Sequence, residues 1–195
     1  MLIILRAGQR ITVAGADLGE VLNMTANDIM YRIRLYVGDT DKKSLSDWEV
    51  LNSVNDALRL MAEESARLGG SMFRMKSNVT ITAGSASLPA GYLQVIKAFN
   101  GTGGELLNVS TDIPDDGEFS VTGGSLSSGE ATVELWYFGY PAAVVSADST
   151  INLPESMAVP LARVASLLLA NKIEDAVTLA GYFMGNKKHA ESPKG

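Results

Sequence analysis

Apolar residues recur every three or four positions in the first third of the chain, which predicts two amphipathic helices. The first is expected over Ala26–Val37, with Thr25 as its N-cap. The second is expected to begin after Ser46, because Ser46 and Glu49 match a capping box, and to end at Gly69. The connection between the two helices is short, so they are predicted to form a helical hairpin.

The hydrophobic period changes to two from Asn78 onward, which predicts short strands separated by Gly, Pro and Asp turns. Together they predict one small antiparallel sheet or sandwich of roughly five to seven strands. The longest segment, residues 132–138, has apolar side chains on both faces. That pattern predicts a central strand that is covered on both sides.

Helical sequence returns after Pro154-Glu155, a pair that is typical of a helix start. Residues 161–170 are apolar nearly all round, so this helix is expected to be buried on most sides. We expect sister subunits to provide part of that cover. Asn171-Lys172 is expected to bend the helix before the apolar stripe resumes.

These patterns predict an α+β fold class. The chain divides into an N-terminal arm or extension (1–23), a helical pair (24–76), an antiparallel β region (77–154), and C-terminal helices with a tail (155–195). The arm has two interpretations. It is either an unneeded upstream extension, since Met24-Thr25-Ala26 reads like a second start, or a segment that adds a strand to a neighbouring subunit.

Composition narrows the classes of function. The 195 residues are 46 % hydrophobic, which is enough for a core, and they contain no Cys, so a disulfide framework or thiolate metal site is excluded. The formal net charge of −6 argues against groove binding to DNA, which requires clustered Lys and Arg. No apolar run approaches the length of a membrane span, and the N-terminus does not match a signal peptide.

Candidate chemical groups are few. The single His, His189, lies in a polar tail without an obvious orienting partner. Asp39, Asp41 and Asp47 are spaced loosely and lack the Gly and terminal Glu of a calcium loop. We therefore expect no enzyme activity, no cofactor and no metal.

An alternative is a β-rich carbohydrate-binding module or glycosidase. It would need a cleft lined by Trp136, Tyr137 or Tyr140 with a carboxylate such as Glu134 beside it.

Another question stays open for the apolar residues after the second helix. Met72, Phe73 and Met75 could belong to the core or could contact a neighbouring subunit.

Six segments in a fixed order carry a resemblance to a known family. They are LNSVNDALRLMAEES, SLPAGYLQVIKAF, GELLNVS, FSVTGGSL, ATVELWYFGYPAAV and INLPESMAVPLARVASLLLANKIEDA. In this order, residues 25–188 resemble the head-to-tail adaptor proteins of tailed bacteriophages, also called connector or neck proteins. Residues 1–23 are not part of the resemblance.

The resemblance implies a structural protein of the virion neck, assembled in the bacterial host cytoplasm. It implies a homo-oligomeric ring, expected to be a dodecamer, that docks on the portal protein and extends the DNA channel. DNA would pass through without sequence-specific binding, and a downstream tail or neck protein would bind the other face. A tail-terminator or another ring protein of the neck is the neighbouring alternative.

Two groups of residues follow from this reading as expected sites. The C-terminal helices of such adaptors typically face the portal, so the subunit and portal interface is expected at Leu161, Val164, Leu167, Leu168, Ile173, Val177, Met184, Lys187 and Lys188. A loop facing the channel lumen or the tail is expected to carry Asp112, Asp115, Asp116 and Glu118. Repeated around a ring, these carboxylates would create a strong negative potential.

Overall fold

The computed structural model describes residues 24–110 and 113–185, and the fold is α+β. The described helices are α1 (Ala26–Val37), α2 (Asp47–Leu68), α3 (Ala158–Leu169) and α4 (Ile173–Gly185). The predicted N-terminal arm and the polar tail with Lys187, Lys188 and His189 lie outside the described residues, as does Asp112.

Both N-terminal helices begin where the capping patterns predict. At α1, the Asp28 N–H donates to Thr25 Oγ1 over 3.3 Å, and the Asp28 carboxylate accepts from the Thr25 N–H over 3.2 Å. Ser46 and Glu49 make the same reciprocal pair at α2, over 3.2 and 2.8 Å. These bonds satisfy amides that the first turn of a helix leaves without partners. The predicted bounds of both helices are therefore confirmed.

The C-terminal apolar segment forms two helices rather than one bent helix. A 3-10 turn, Glu155–Met157, precedes α3. The chain then breaks at Asn171, whose φ of 55° lies in the left-handed region. Asn adopts this conformation more readily than most residues, and it cannot continue a right-handed helix. The predicted bend is thus a complete break.

Helix α3 is covered by its own chain, because α1, α2 and α4 all pack against it. Four of its side chains are fully buried, namely Leu161, Ala162, Val164 and Ala165. The three other helices supply the apolar surface that covers these side chains. The first turns of α3 therefore need no cover from sister subunits, which corrects the expectation there, whereas Leu167, Leu168 and Leu169 remain half-buried and cover of these three by a sister subunit stays a prediction.

The described strands form three small sheets, where one antiparallel sheet or a small sandwich was expected. Their bounds are β1 (Met24–Thr25), β2 (Arg74–Thr80), β3 (Ser85–Ser87), β4 (Tyr92–Asn100), β5 (Leu107–Asn108), β6 (Glu118–Thr122), β7 (Ser125–Ser128), β8 (Thr132–Gly139) and β9 (Thr150–Ile151). The sheet orders are β1-β9, β2-β8-β4 and β3-β7-β6-β5. All pairs are antiparallel except β5 with β6, which corrects the expectation of a wholly antiparallel region.

Strand β8 is central, as predicted, but one of its faces is only partly covered. Val133, Leu135 and Tyr137 point inward and are buried. On the other face Trp136 is 40 % exposed, with its ring 5.7 Å from the ring of Phe99. The prediction of cover on both sides is wrong at Trp136, whose neighbours include the exposed Lys76, and it is confirmed at Phe138 of the same face, which is 4 % exposed.

The residues that the structure describes form two apolar cores. One is formed by the four helices together with Met24, Val144, Ile151 and Met157, and the other by side chains of the two larger sheets. Met72 and Phe73 pack against the helical core and Met75 against the β core. Core contacts are thus confirmed for these three half-buried residues, and a contact with a neighbouring subunit stays a prediction.

Side chains of α2 connect the helical core to the segment that follows β8. Tyr140 donates from its hydroxyl to Glu63 over 2.7 Å. Asn55 makes two hydrogen bonds with the backbone of Val144, over 2.9 and 2.7 Å. Strand β1 pairs with β9, which brings Met24 beside Ile151. None of the helices within the described ranges has the length and apolar character needed to cross a bilayer.

Candidate assembly surfaces

The residues predicted to form the subunit and portal interface occupy two different environments. Leu161 and Val164 are fully buried among the helices, and Met184 is 6 % exposed. These three side chains belong to the helical core, and in this conformation they offer little surface to a neighbouring molecule. Their burial speaks against direct contact with a partner, and their assignment to an interface stays a prediction.

The remaining described residues of that group are accessible. Ile173 is 58 % and Val177 37 % exposed at the first turns of α4, and Leu167 and Leu168 are half-buried near the end of α3. Tyr182, which the sequence analysis did not single out, is 62 % exposed further along α4. Exposed apolar and aromatic side chains on adjacent helices are typical of contact surfaces. We call Leu167, Leu168, Ile173 and Val177 the α3–α4 patch.

The described acidic residues cluster at one end of the four-stranded sheet. Asp115 and Asp116 are exposed before β6, and Glu118 begins that strand. The Asp115 N–H donates to the Glu118 carboxylate over 3.1 Å, which closes the turn. The three carboxylates therefore share one exposed turn, as a channel-facing loop would require.

Two residues of the alternative carbohydrate cleft, Trp136 and Glu134, line one open cavity of about 490 Å³ with Phe99, whereas Tyr137 and Tyr140 lie elsewhere. Trp136 and Glu134 are neighbours on the open face, where the indole N–H donates to the carboxylate over 2.6 Å. Tyr137 is buried on the opposite face of the same strand, and Tyr140 is bonded to Glu63 of α2. The Lys76 ammonium also lies 5.8 Å from the centre of the Trp136 ring. This arrangement leaves no three-residue aromatic cleft.

Two of the three loosely spaced carboxylates bind an arginine. Arg34, only 3 % exposed, forms an ion pair with Asp39 and a second with Asp47 over 2.8 Å, and it also donates to the carbonyl of Leu45 over 2.9 Å. The Asp39 carboxylate accepts three backbone N–H groups, from residues 43, 44 and 45. We call this the Arg34 cluster. It fixes the connection between α1 and α2.

Metal binding does not fit these contacts. Arg34 supplies the positive charge for Asp39 and Asp47, while Asp41 pairs with Lys43 over 3.0 Å. In the part of the chain that the structure describes, no group of three or more His, Asp and Glu side chains could hold a metal ion.

The Arg34 cluster makes stability depend on pH. Hydrogen bonding from the Ser44 backbone lowers the pKa of Asp39 below 3.8, and the hydrogen bond from Arg34 lowers the pKa of Asp47 below the same value. A lowered pKa in the folded state means that the stabilisation is present above pH 3.8 and is lost as the pH falls through the folded-state pKa.

We therefore expect the melting temperature to fall steeply as the pH is lowered below about 4. Thermal unfolding monitored by circular dichroism at a series of acidic pH values measures this fall. The melting temperature of Asp39→Asn should be lower than that of the wild type at neutral pH and should fall less as the pH is lowered. Asp41→Asn is the control, since Asp41 is 70 % exposed, and it should keep the wild-type slope. Equal acid dependence in all three proteins would contradict this role of Asp39.

A groove of about 770 Å³ follows the outer side of α1, and we call it the α1 groove. Its apolar lining includes Met24, Met30, Tyr31, Leu35 and Ala158. Tyr31 is 62 % and Leu35 48 % exposed, although they are large side chains on one helix face. Their spacing of four residues, outside the buried stripe, is the signal in the sequence that could have revealed this surface.

A comparison with protein-family models matches residues 24–186 to the SU10 adaptor protein family. The match spans all four helices and all nine strands of the described residues. A search of curated proteins finds no match.

Proposed function

The chain belongs to the SU10 adaptor protein family, a family of phage head-to-tail adaptors, and from this premise we propose that its copies form a ring that docks on the portal. Membership implies a structural protein of the virion at the head–tail junction. The single observation that carries the proposal is the family match over residues 24–186. The ring would extend the DNA channel from the portal toward a downstream tail or neck protein, and its assembly would take place in the cytoplasm of the bacterial host.

The α3–α4 patch supports the docking part of the proposal. It is formed by side chains of two adjacent helices, and Ile173 and Val177 keep substantial exposure. Leu161, Val164 and Met184 support this surface from the core rather than contacting the portal. A small apolar surface held on rigid helices loses little conformational entropy when a partner covers it.

The acidic turn supports the channel part of the proposal. With a net charge of −6, the chain offers little attraction to phosphates, and Asp115, Asp116 and Glu118 add exposed carboxylates at one end of a sheet. Repeated around a ring and facing the lumen, such carboxylates would repel DNA and allow it to pass without being bound. A reconstruction of the ring that places this turn on the outer surface would contradict this part.

Capture on purified portal rings tests the docking. We expect Val177→Glu to weaken capture by about tenfold or more, because a charge buried at an apolar contact has no partner. Leu107→Glu is the matched control, since Leu107 is 63 % exposed on β5 and outside the patch. Sedimentation and electron microscopy of the mixture report whether closed rings form.

Two results would oppose the proposal. A wild-type chain that forms a closed dimer without affinity for portal would contradict the adaptor ring. Loss of capture by Leu107→Glu, with Val177→Glu unaffected, would place the contact on the β region instead of the C-terminal helices.

A further inference from the structure

We infer that the chain's own N-terminal segment, residues 1–23, binds in the α1 groove. The inference is independent of the adaptor function, because the family match begins at residue 24 and does not include this segment. Three observations carry it: the uncovered apolar lining of the groove, the place where the segment joins the fold, and the residue types of the segment.

The groove presents apolar surface that the described residues do not cover. Tyr31 and Leu35 lie one helical turn apart on α1, and most of the Tyr31 side chain and about half of the Leu35 side chain remain accessible to solvent. Met24 and Ala147 contribute apolar atoms at the border of the groove. Such a surface favours an apolar occupant, because covering it removes apolar area from water.

The segment joins the fold at the groove itself. Met24 lines the groove, is 6 % exposed, and is held by the pairing of β1 with β9. The next two residues are fixed as well, since the Ala26 N–H donates to the Ser149 carbonyl over 2.9 Å and the Asn27 N–H to the Ala147 carbonyl over 2.8 Å. A segment tethered at the border of its site has a high effective concentration there, which favours its own groove over that of another copy.

The residue types of the segment match the lining. It contains one apolar run, residues 2–5, and the short segment Ile11-Thr12-Val13, with Arg6 and Arg10 between them. The charged lining of the groove is balanced, with the carboxylates of Asp28, Asp47 and Glu155 beside Arg32, Arg34 and Lys42, so the match rests on the apolar residues. Helix α1 is about 18 Å long, and 23 residues can extend several times that distance, so either of the two can reach any part of the groove.

Hydroxyl-radical footprinting read by mass spectrometry tests this placement side chain by side chain. The full chain is compared with a variant that lacks residues 1–23. We expect labelling of Tyr31 and Leu35 to be about threefold lower in the full chain, in proportion to the accessible area lost. Tyr182 and Leu107 are matched controls, with exposures of 62 % and 63 %, and their labelling should not change.

Point variants identify the part of the segment responsible. Ile3→Asp combined with Ile4→Asp should restore labelling of Tyr31 to the level of the truncated chain, while Gln9→Asp should leave the protection in place. Equal labelling of Tyr31 in the full and truncated chains would overturn the inference. Protection that disappears on about hundredfold dilution would also overturn it, because binding to a second copy depends on concentration and binding within one chain does not.

The outcome is separable from that of the adaptor proposal. Portal capture of the truncated chain is measured in parallel. If portal rings capture the chain but Tyr31 is not protected in the full chain, only the inference about the N-terminal segment is contradicted. If Tyr31 is protected but portal rings do not capture the chain, only the adaptor proposal is contradicted.

Discussion

Leu161→Ala is expected to lower the free energy of unfolding by about 2–5 kcal/mol, the largest loss anticipated for a single apolar truncation in this chain. Leu161 is fully buried in the helical core, with an accessible fraction of 0 %. Truncation removes its transfer free energy and leaves a cavity between α3 and the helices packed on it. Urea unfolding of the monomeric protein, followed by circular dichroism, measures the change.

Ile173→Ala is the matched control for this prediction. Ile173 is an aliphatic residue of the same C-terminal pair but is 58 % exposed, so its truncation should change stability by no more than about 0.5 kcal/mol. If Leu161→Ala left the monomer as stable as the wild type and only prevented ring formation, α3 would be an intersubunit helix and not a core helix of the chain.

Arg34→Ala is expected to destabilise the protein by about 3 kcal/mol, at the low end of the range for breaking a buried ion pair. The loss is large because Asp39, 6 % exposed, would keep a buried charge without its arginine. It stays at the low end because the second partner, Asp47, has a side chain 61 % exposed that water can solvate. Urea unfolding at neutral pH measures the difference.

Arg32→Ala controls for the general effect of removing an arginine from α1. Arg32 is exposed on the same helix, and its truncation should alter stability by no more than about 0.5 kcal/mol. A similar loss in both variants would show that helix propensity or net charge, and not the Arg34 cluster, causes the effect.

Local patterns predicted the local structure of this chain well. The reciprocal hydrogen bonds at Thr25–Asp28 and Ser46–Glu49 depend on residues three apart, so the sequence alone locates both helix starts. The central position of β8 in the three-stranded sheet was also predictable, because residues 132–138 form the longest strand segment and carry apolar side chains on both faces. The order of the six family-like segments led to the adaptor family that the match over residues 24–186 shows.

Non-local arrangements were not predictable in the same way. The apolar character of α3 indicates that the helix is covered, but it carries no information on whether α1, α2 and α4 or a second molecule covers it. The pairing of Arg34 with Asp39 crosses the turn at Gly38, whose φ is 75°, and no helical or strand period connects the two residues. The parallel pairing of β5 with β6 involves only two residues of each strand, too few to leave a pattern.

The same was true of the candidate sites. The described residues of the predicted interface are all apolar and closely spaced in the sequence. In the structure some of them are buried and others are accessible to solvent, a difference that the sequence did not indicate. The α1 groove was not predicted, because its lining combines Tyr31 and Leu35 of α1 with residues as distant in the sequence as Ala147 and Ala158.

The position of both large sheets between the two helical pairs has a consequence for synthesis on the ribosome. Helices α1 and α2 emerge first, but α3, which both of them contact, is not translated until after residue 157. The β region can assemble its separate core during that interval, since domains fold as units while translation proceeds. The surfaces of the first two helices that contact α3 therefore stay without this cover until α3 has been synthesised.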